Sequence, residues 1–109
     1  FGMLTGKYLK KVPKESRLGL YGDWFTRYNN EKSIAATKRY QEIAIKNKLS
    51  LTQLALAFVN TRPFLTSNII GATNLDQLKE NIESIDVELS EEIIAELNEV
   101  HDDIPNPAP

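Results

Sequence analysis

Thr73, Gln77, Glu80 and Asn81 bring a hydroxyl, two amides and a carboxylate together shortly after Gly71, in the stretch "IIGATNLDQLKEN". On a helix advancing about 100° per residue these side chains gather opposite Leu75, Leu78, Ile82 and Ile85, on the side nearest the helix start. A helix N-terminus carries unpaired N–H groups and partial positive charge, which suits a phosphate. Glycine at position 71 lets backbone come close to such a group. Amides and a carboxylate at i, i+3 and i+4 could read the donor and acceptor edge of an adenine or a ribose. The chemistry in view is nucleotide recognition. The same residues also fit a structural role, because any amphipathic helix has a polar face and Asn74 with Gln77 makes an adequate cap pair. No G-x-G-x-x-G is present, and no Gly-Lys-Ser/Thr follows Gly71, so this is neither the dinucleotide fingerprint nor a P-loop.

The elements that must position these groups can be read along the chain. Four helices are predicted. Asn30 caps the first, with Glu31 in its opening turn and Ala36, Tyr40, Ile43 and Ala44 on one face. Ser50 and Gln53 form a capping box for the second, whose stripe is Leu51, Leu54, Ala55, Phe58 and Val59 and which Arg62-Pro63 stops. The third starts near Thr73 or Asn74 and buries Leu75, Leu78, Ile82 and Ile85. Ser90 caps the fourth, where Glu91 and Glu92 meet the positive end of the dipole and Ile93, Leu97 and Val100 face inward. Thr66 to Ile70 reads as a strand, and a second strand ends at "FGML". Residues 7–30 lack a period and read as a long irregular loop, the kind often used as a lid or binding loop. Prolines prevent "DDIPNPAP" from continuing a helix. Helix, strand and helix with short connections is the grammar of an α/β unit with a parallel sheet, and one or two strands cannot complete that sheet. Either partner strands lie elsewhere or the chain is essentially helical.

Composition narrows the function classes. The 109 residues suit one small domain, and 41% hydrophobic with 26% charged residues is a globular mix. A net charge of −2 marks no nucleic-acid surface. The longest apolar run, "LALAFV", is far short of a membrane span. Without cysteine there is no disulfide, thiol catalysis or thiolate metal site, and a single His101 excludes a histidine cluster. No signal peptide is visible, so a cytoplasmic location is expected. The chain opens on Phe1 with no initiator methionine, as expected for a chain cut from something longer, or processed.

"FGMLTGKY" at the start, "SRL" at Ser16 to Leu18 and "IIGATNLDQLKENI" occur in an order that resembles the carboxy-terminal portion of an aldo-keto reductase, in the branch that includes the potassium-channel β-subunits. The likeness runs over essentially the whole chain and includes "LTQLALAFV", the "LS" before the last helix and the "NPAP" ending. It implies an α/β fold: the last part of a (β/α)8 TIM barrel, whose seventh strand has just ended at Phe1 and whose eighth is Thr66 to Ile70. Residues 1–30 would be the coenzyme loop after strand seven, 31–62 helices, 66–85 strand eight with its helix, and 90–101 the terminal helix. Such barrels keep their active sites in the βα loops, where both motifs fall.

By the same resemblance the coenzyme is NADPH. Phe1, Gly2, Met3 and Leu4 would line its pyrophosphate with Lys7 nearby, and Ser16 and Arg17 would help fold the loop over it. Gly71, Ala72 and Thr73 would meet the adenosine phosphate, and Gln77, Glu80 and Asn81 the adenine end. Many relatives hold the 2′-phosphate with a Lys-Ser pair and an arginine; Gly71, Ala72 and Gln77 stand there instead, leaving Arg17 as the cation for that task. Each residue also has a plainer reading. Lys7 could be a solvated charge, and Arg17 could pair with Glu15 or Asp23. Tyr21, Trp24, Phe25 and Tyr28 read as loop packing, some of them rimming a substrate pocket. His101 reads as a favourable charge at a helix C-terminus.

The family's reaction is hydride transfer to an aldehyde or ketone, with a tyrosine proton donor supported by aspartate, lysine and usually histidine. None of Tyr8, Tyr21, Tyr28 or Tyr40 stands in that context, so no catalytic residue is assigned. A barrel needs roughly 200 residues or more, and the chain alone is expected to be inactive. Its expected partners are a small carbonyl substrate of the parent protein and the rest of the barrel or a second copy. The alternative is a helical binding or regulatory module that keeps a remnant nucleotide site.

Overall fold

The computed structural model describes residues 1–24 and 26–109; of Asp23 the backbone is described and the side chain is not. Five helices carry the fold among the described residues: α1 (Arg17–Tyr21), α2 (Glu31–Lys46), α3 (Leu51–Asn60), α4 (Leu75–Glu83) and α5 (Glu91–Asp103). Short 3-10 turns occupy Met3–Thr5, Gly22–Trp24 and Ser84–Asp86. No strand forms among the described residues.

Each long helix starts where its capping residue dictates. The Asn30 side chain accepts from the Ser33 N–H, Ser50 from Gln53, Asn74 from Gln77 and Ser90 from Ile93. At Ser50 the box is complete, since the Gln53 side chain also accepts from the Ser50 N–H at 3.2 Å. These bonds satisfy donors that the first helical turn leaves open, worth about 1 kcal/mol each. Between α2 and α3 the chain reverses through Lys48 in the left-handed region (φ 58°), and the Leu49 N–H closes back on the Ala44 carbonyl at 2.9 Å.

The core is the meeting of α2, α3 and α5. Ala36, Ile43 and Ala44 from α2, Leu51 and Leu54 from α3, and Ile93, Leu97 and Val100 from α5 form one buried cluster, with Tyr40 and Phe58 against it. Small residues on α2 let the larger ones interdigitate at close range. Arg39 to Asp103 (2.7 Å) and Lys46 to Glu96 join α2 to α5 at the rim. Exposed pairs of this kind contribute roughly 0.2–1 kcal/mol, so the apolar seam sets the packing. A second, smaller cluster joins Met3, Tyr8 and Leu18, with Tyr28 and Ile34 beside it. This cluster orders the segment before α2, which is therefore less irregular than a free loop.

Two expectations about the later half are corrected. Thr66 to Ile70 is not a strand here; it runs as irregular backbone with Ile69 95% exposed. A parallel strand draws its hydrogen bonds from neighbours on either side, and the described residues supply none. Likewise α4 forms where predicted but does not bury its apolar face: Leu75 is 82% exposed, and Leu78, Ile82 and Ile85 are exposed as well. It touches α3 and the Ser84–Asp86 turn, while its outer stripe meets no layer among the described residues. The helix is held by its cap rather than by burial. No helix is long and apolar enough to cross a membrane among the described residues.

Candidate functional site

The residues singled out above fall into two groups, and both lean on α3: the Met3–Thr5 turn packs on one part of it and α4 on another. The first group is built around a tight turn between two glycines in the left-handed region, Gly2 (φ 87°) and Gly6 (φ 74°). Side chains are disfavoured at such angles, and at Gly2 space is short as well, since a Cβ there would lie 2.8 Å from Lys7 Cε and 3.0 Å from Nζ. The turn closes by Thr5 N–H to the Gly2 carbonyl (3.3 Å) and Gly6 N–H to the Met3 carbonyl (3.0 Å). Among the described residues those bonds leave the Met3 and Leu4 amides unused, while Lys7 folds its ammonium across Gly2. Successive free amides beside a cation are suited to an anion. Met3 itself is buried and anchors the turn, and Leu4 is exposed.

Phe1 sits at the edge of that turn as part of an aromatic and cationic stack. Tyr28 lies against it with ring centroids 4.7 Å apart and planes 25° from parallel. The Arg17 guanidinium is 5.1 Å from the Phe1 ring centre, and Arg27 is 5.6 Å from that of Tyr28. Tyr8 is buried below and donates its hydroxyl to the Phe1 carbonyl at 3.4 Å. Ser16 is the N-cap of α1: its hydroxyl donates to the Pro13 carbonyl (2.6 Å) and accepts from the Gly19 N–H (3.2 Å). Ser16 therefore orients Arg17 by starting the helix that carries it.

Sequence reasoning sorted this loop imperfectly. Trp24, expected to pack, is 86% exposed, and Tyr21 is exposed too, so loop packing is corrected for both. Neither has a surface among the described residues to cover. Tyr28 does pack, on Phe1. Phe25 and the Asp23 side chain, named as packing and as a partner for Arg17, lie outside the described residues. Arg17 makes no ion pair with Glu15 among the described residues; its contact is the Phe1 ring. The Phe1–Tyr28 stack was missed because nothing in the spacing of two aromatics so far apart signals contact.

The second group surrounds the start of α4. The Gln77 side-chain carbonyl accepts from both the Thr73 N–H (2.9 Å) and the Thr73 hydroxyl (3.0 Å), while Gln77 N–H is taken by Asn74 (2.9 Å). Asn81 reaches back from the next turn and donates to the Gly71 carbonyl at 3.2 Å. Thr73, Asn74 and Gln77 are thus one hydrogen-bonded set and Gly71 with Asn81 another, and Glu80 stands partly buried on the same helix. A Cβ at Gly71 would meet nothing within 4 Å, so this chain's own packing gives no reason for glycine there. Thr73 and Gln77 satisfy one another, which is the cap arrangement. Local charge is unfavourable for a phosphate, with Asp76 in the first turn and Lys79 engaged by Glu83 at 3.7 Å.

His101 lies in the last turn of α5, exposed, as read from the sequence. The Tyr40 hydroxyl is pushed up from its ordinary value by burial, with Arg39 opposing, and lies in the helical core rather than in either group.

A glycine-bounded turn with a lysine folded over it, and a capped helix start bearing amides and a hydroxyl, are the two arrangements into which the structure brings these residues. The chain belongs to the Aldo/keto reductase family, whose sequence model matches residues 1–102. It is 47% identical to "Protein tas" of Escherichia coli over 110 aligned residues, which take in all of this chain and 32% of that protein. It is 44% identical to an "Aldo-keto reductase" of Babesia bovis over 84 residues, 74% of this chain and 30% of that one. It is 36% identical to a "Probable voltage-gated potassium channel subunit beta" of Oryza sativa subsp. japonica over 89 residues, 79% of this chain and 27% of that one. The chain spans about a third of the length of the curated relatives it matches.

Proposed function

We propose that this chain is the carboxy-terminal third of an NADPH-dependent reductase of aldehydes or ketones, and that it carries part of the coenzyme site without the catalytic tetrad. The observation that carries the proposal is the anion-suited turn at Gly2–Lys7 together with the polar α4 start at Gly71–Asn81, within a member of this family. The share of each relative that is matched supports a parent about three times as long. In that parent the exposed faces of α4 and of Thr66 to Ile70 would pack into a (β/α)8 barrel, with Thr66 to Ile70 as its eighth strand.

When bound, NADPH supplies the hydride that reduces the carbonyl carbon. The residues of this chain would do the holding. The Met3 and Leu4 amides and Lys7 would take the pyrophosphate, with Gly2 keeping the turn tight. Phe1 and Arg17, oriented by Ser16, would close over it. Gly71, Ala72 and Thr73 would receive the adenosine phosphate at the α4 start, and Gln77, Glu80 and Asn81 the adenine. The proton for the carbonyl oxygen would come from a tyrosine outside these 109 residues.

The 2′-phosphate is the discriminating contact. With Gly71, Ala72 and Gln77 carrying no charge, Arg17 is the cation left to read it, and its planar fork suits phosphate. A charge-assisted bond contributes on the order of 1.5–3 kcal/mol. Titration of NADPH and NADH into the longer protein, wild type and Arg17→Ala, tests this. NADPH binding should weaken about tenfold or more while NADH binding barely changes. Equal losses would mean that Arg17 does not read the 2′-phosphate.

A second reading has one observation in its favour: α2, α3 and α5 close a core without any strand. A helical partner module built on that core would keep the nucleotide site only as a remnant, and NADPH would then bind neither the chain nor its parent.

A further inference from the structure

Beyond α5 the chain doubles back across the start of α2. Asn106 adopts the left-handed region (φ 48°), a conformation that asparagine tolerates better than most residues, and this turns Pro107 and Ala108 toward the loop before α2. The Pro107 carbonyl accepts from Ser33 Oγ at 2.8 Å and from Asn30 Nδ2 at 3.0 Å. The Ala108 carbonyl accepts from Arg27 Nε at 2.9 Å. Ser33 is only 5% exposed, so its hydroxyl depends on a protein partner. Asn30 is at once the N-cap of α2 and a donor to the Arg27 carbonyl at 2.7 Å. Three donors from residues 27–33 therefore converge on two carbonyls about seventy-five residues away.

What those donors flank is Tyr28, the residue stacked on Phe1 under Arg17. We infer that Pro107 and Ala108 form a strap that fixes Arg27, Asn30 and Ser33, and through them holds the Tyr28–Phe1–Arg17 stack in place; they are positioning residues for the coenzyme loop. The functional half of this inference rests on the coenzyme reading given above. The mechanical half stands on the hydrogen bonds alone. Because the acceptors are backbone carbonyls, side-chain identity at 107 and 108 matters little and the presence of the residues matters much.

Tryptic cleavage after Arg27 reads the strap directly, since the guanidinium must leave the Ala108 carbonyl to enter the protease. Four forms of the chain are compared by mass spectrometry: intact, shortened to end at Asn106, Pro107→Ala and Ser33→Ala. Cleavage after Arg27 should accelerate about tenfold in the shortened form and severalfold in Ser33→Ala, because the rate follows the population of the open loop. Pro107→Ala keeps the carbonyl and should stay within about twofold of the intact chain. Cleavage after Lys79, on α4, is the internal reference and should not change. Unchanged Arg27 cleavage in both the shortened form and Ser33→Ala overturns the strap, as does a Pro107→Ala rate equal to the shortened one, which would credit the ring and not the carbonyl. If the shortened form cleaves fast at Lys79 as well, it has unfolded, and Ser33→Ala against Pro107→Ala decides. NADPH titration of the longer protein with and without residues 107–109 separates the two halves. Binding weakened only in the shortened form supports the positioning role and equal binding overturns it. No binding by either form rejects the coenzyme reading and leaves the strap to the protease result.

Discussion

Gln77 spends its side-chain carbonyl on Thr73, taking both the N–H and the hydroxyl of that residue at 2.9 and 3.0 Å. The pair stitches the approach from Gly71 to the first turn of α4, a helix that has little burial to hold it. Replacing Gln77 by Ala should therefore cost about 0.5–1.5 kcal/mol of local stability, the usual net worth of such bonds. Amide exchange of α4 should quicken while that of α3 is unchanged. Equal protection in the variant would show that the Asn74 cap alone sets this start.

Leu54 is the opposite case, fully buried where α2, α3 and α5 meet. Leu54→Ala should destabilise the chain by about 2–5 kcal/mol, through lost transfer energy and the cavity left behind. Urea unfolding measures it. A loss below about 1 kcal/mol would mean that the three helices do not share one core.

Alkaline pH should loosen the same helices. Tyr40 is raised by burial, and Lys46 is raised by its hydrogen bond and charge interaction with Glu96. A folded value above the unfolded one gives stability that is full below the ordinary 10.0 for Tyr40 and 10.5 for Lys46, and that is lost as pH rises through the raised values. Melting temperature should fall as pH rises above about 10, and Tyr40→Phe should flatten the part that comes from the phenol. A Tyr40→Phe profile identical to wild type would remove Tyr40 from the account.

Ile69, Leu75, Ile82 and Ile85 present an apolar surface that no layer among the described residues covers. Surfaces of this kind drive association. Sedimentation should show concentration-dependent self-association, and Ile82→Glu should shift it toward monomer. A wild-type chain that stays monomeric at high concentration would count against a missing barrel layer.

Local signals carried most of the fold. Asn30, Ser50, Asn74 and Ser90 were legible as caps because capping is decided within four residues. The core faces of α2 and α5 followed from helical spacing, as did Leu51, Leu54 and Phe58 of α3. Of the predicted α3 stripe, Ala55 and Val59 are only half-buried, and Ala57 is buried instead. What failed depended on partners. Thr66 to Ile70 has strand composition, and Leu75 to Ile85 has a buried-helix period, yet each needs a neighbouring layer that these residues do not include. The two halves of the candidate site were legible as motifs, whereas the Phe1–Tyr28 stack and the strap from Pro107 were not, because no local pattern encodes contact over such separations.

Oxidation of NADPH in the presence of a reactive aldehyde tests the central claim most directly, measured for these 109 residues and for the protein extended to the length of its relatives. The 109 residues should show no turnover above a heat-killed control, and the extended protein clear turnover. Turnover by the 109 residues alone, or an extended protein that neither binds nor oxidises NADPH, would contradict it.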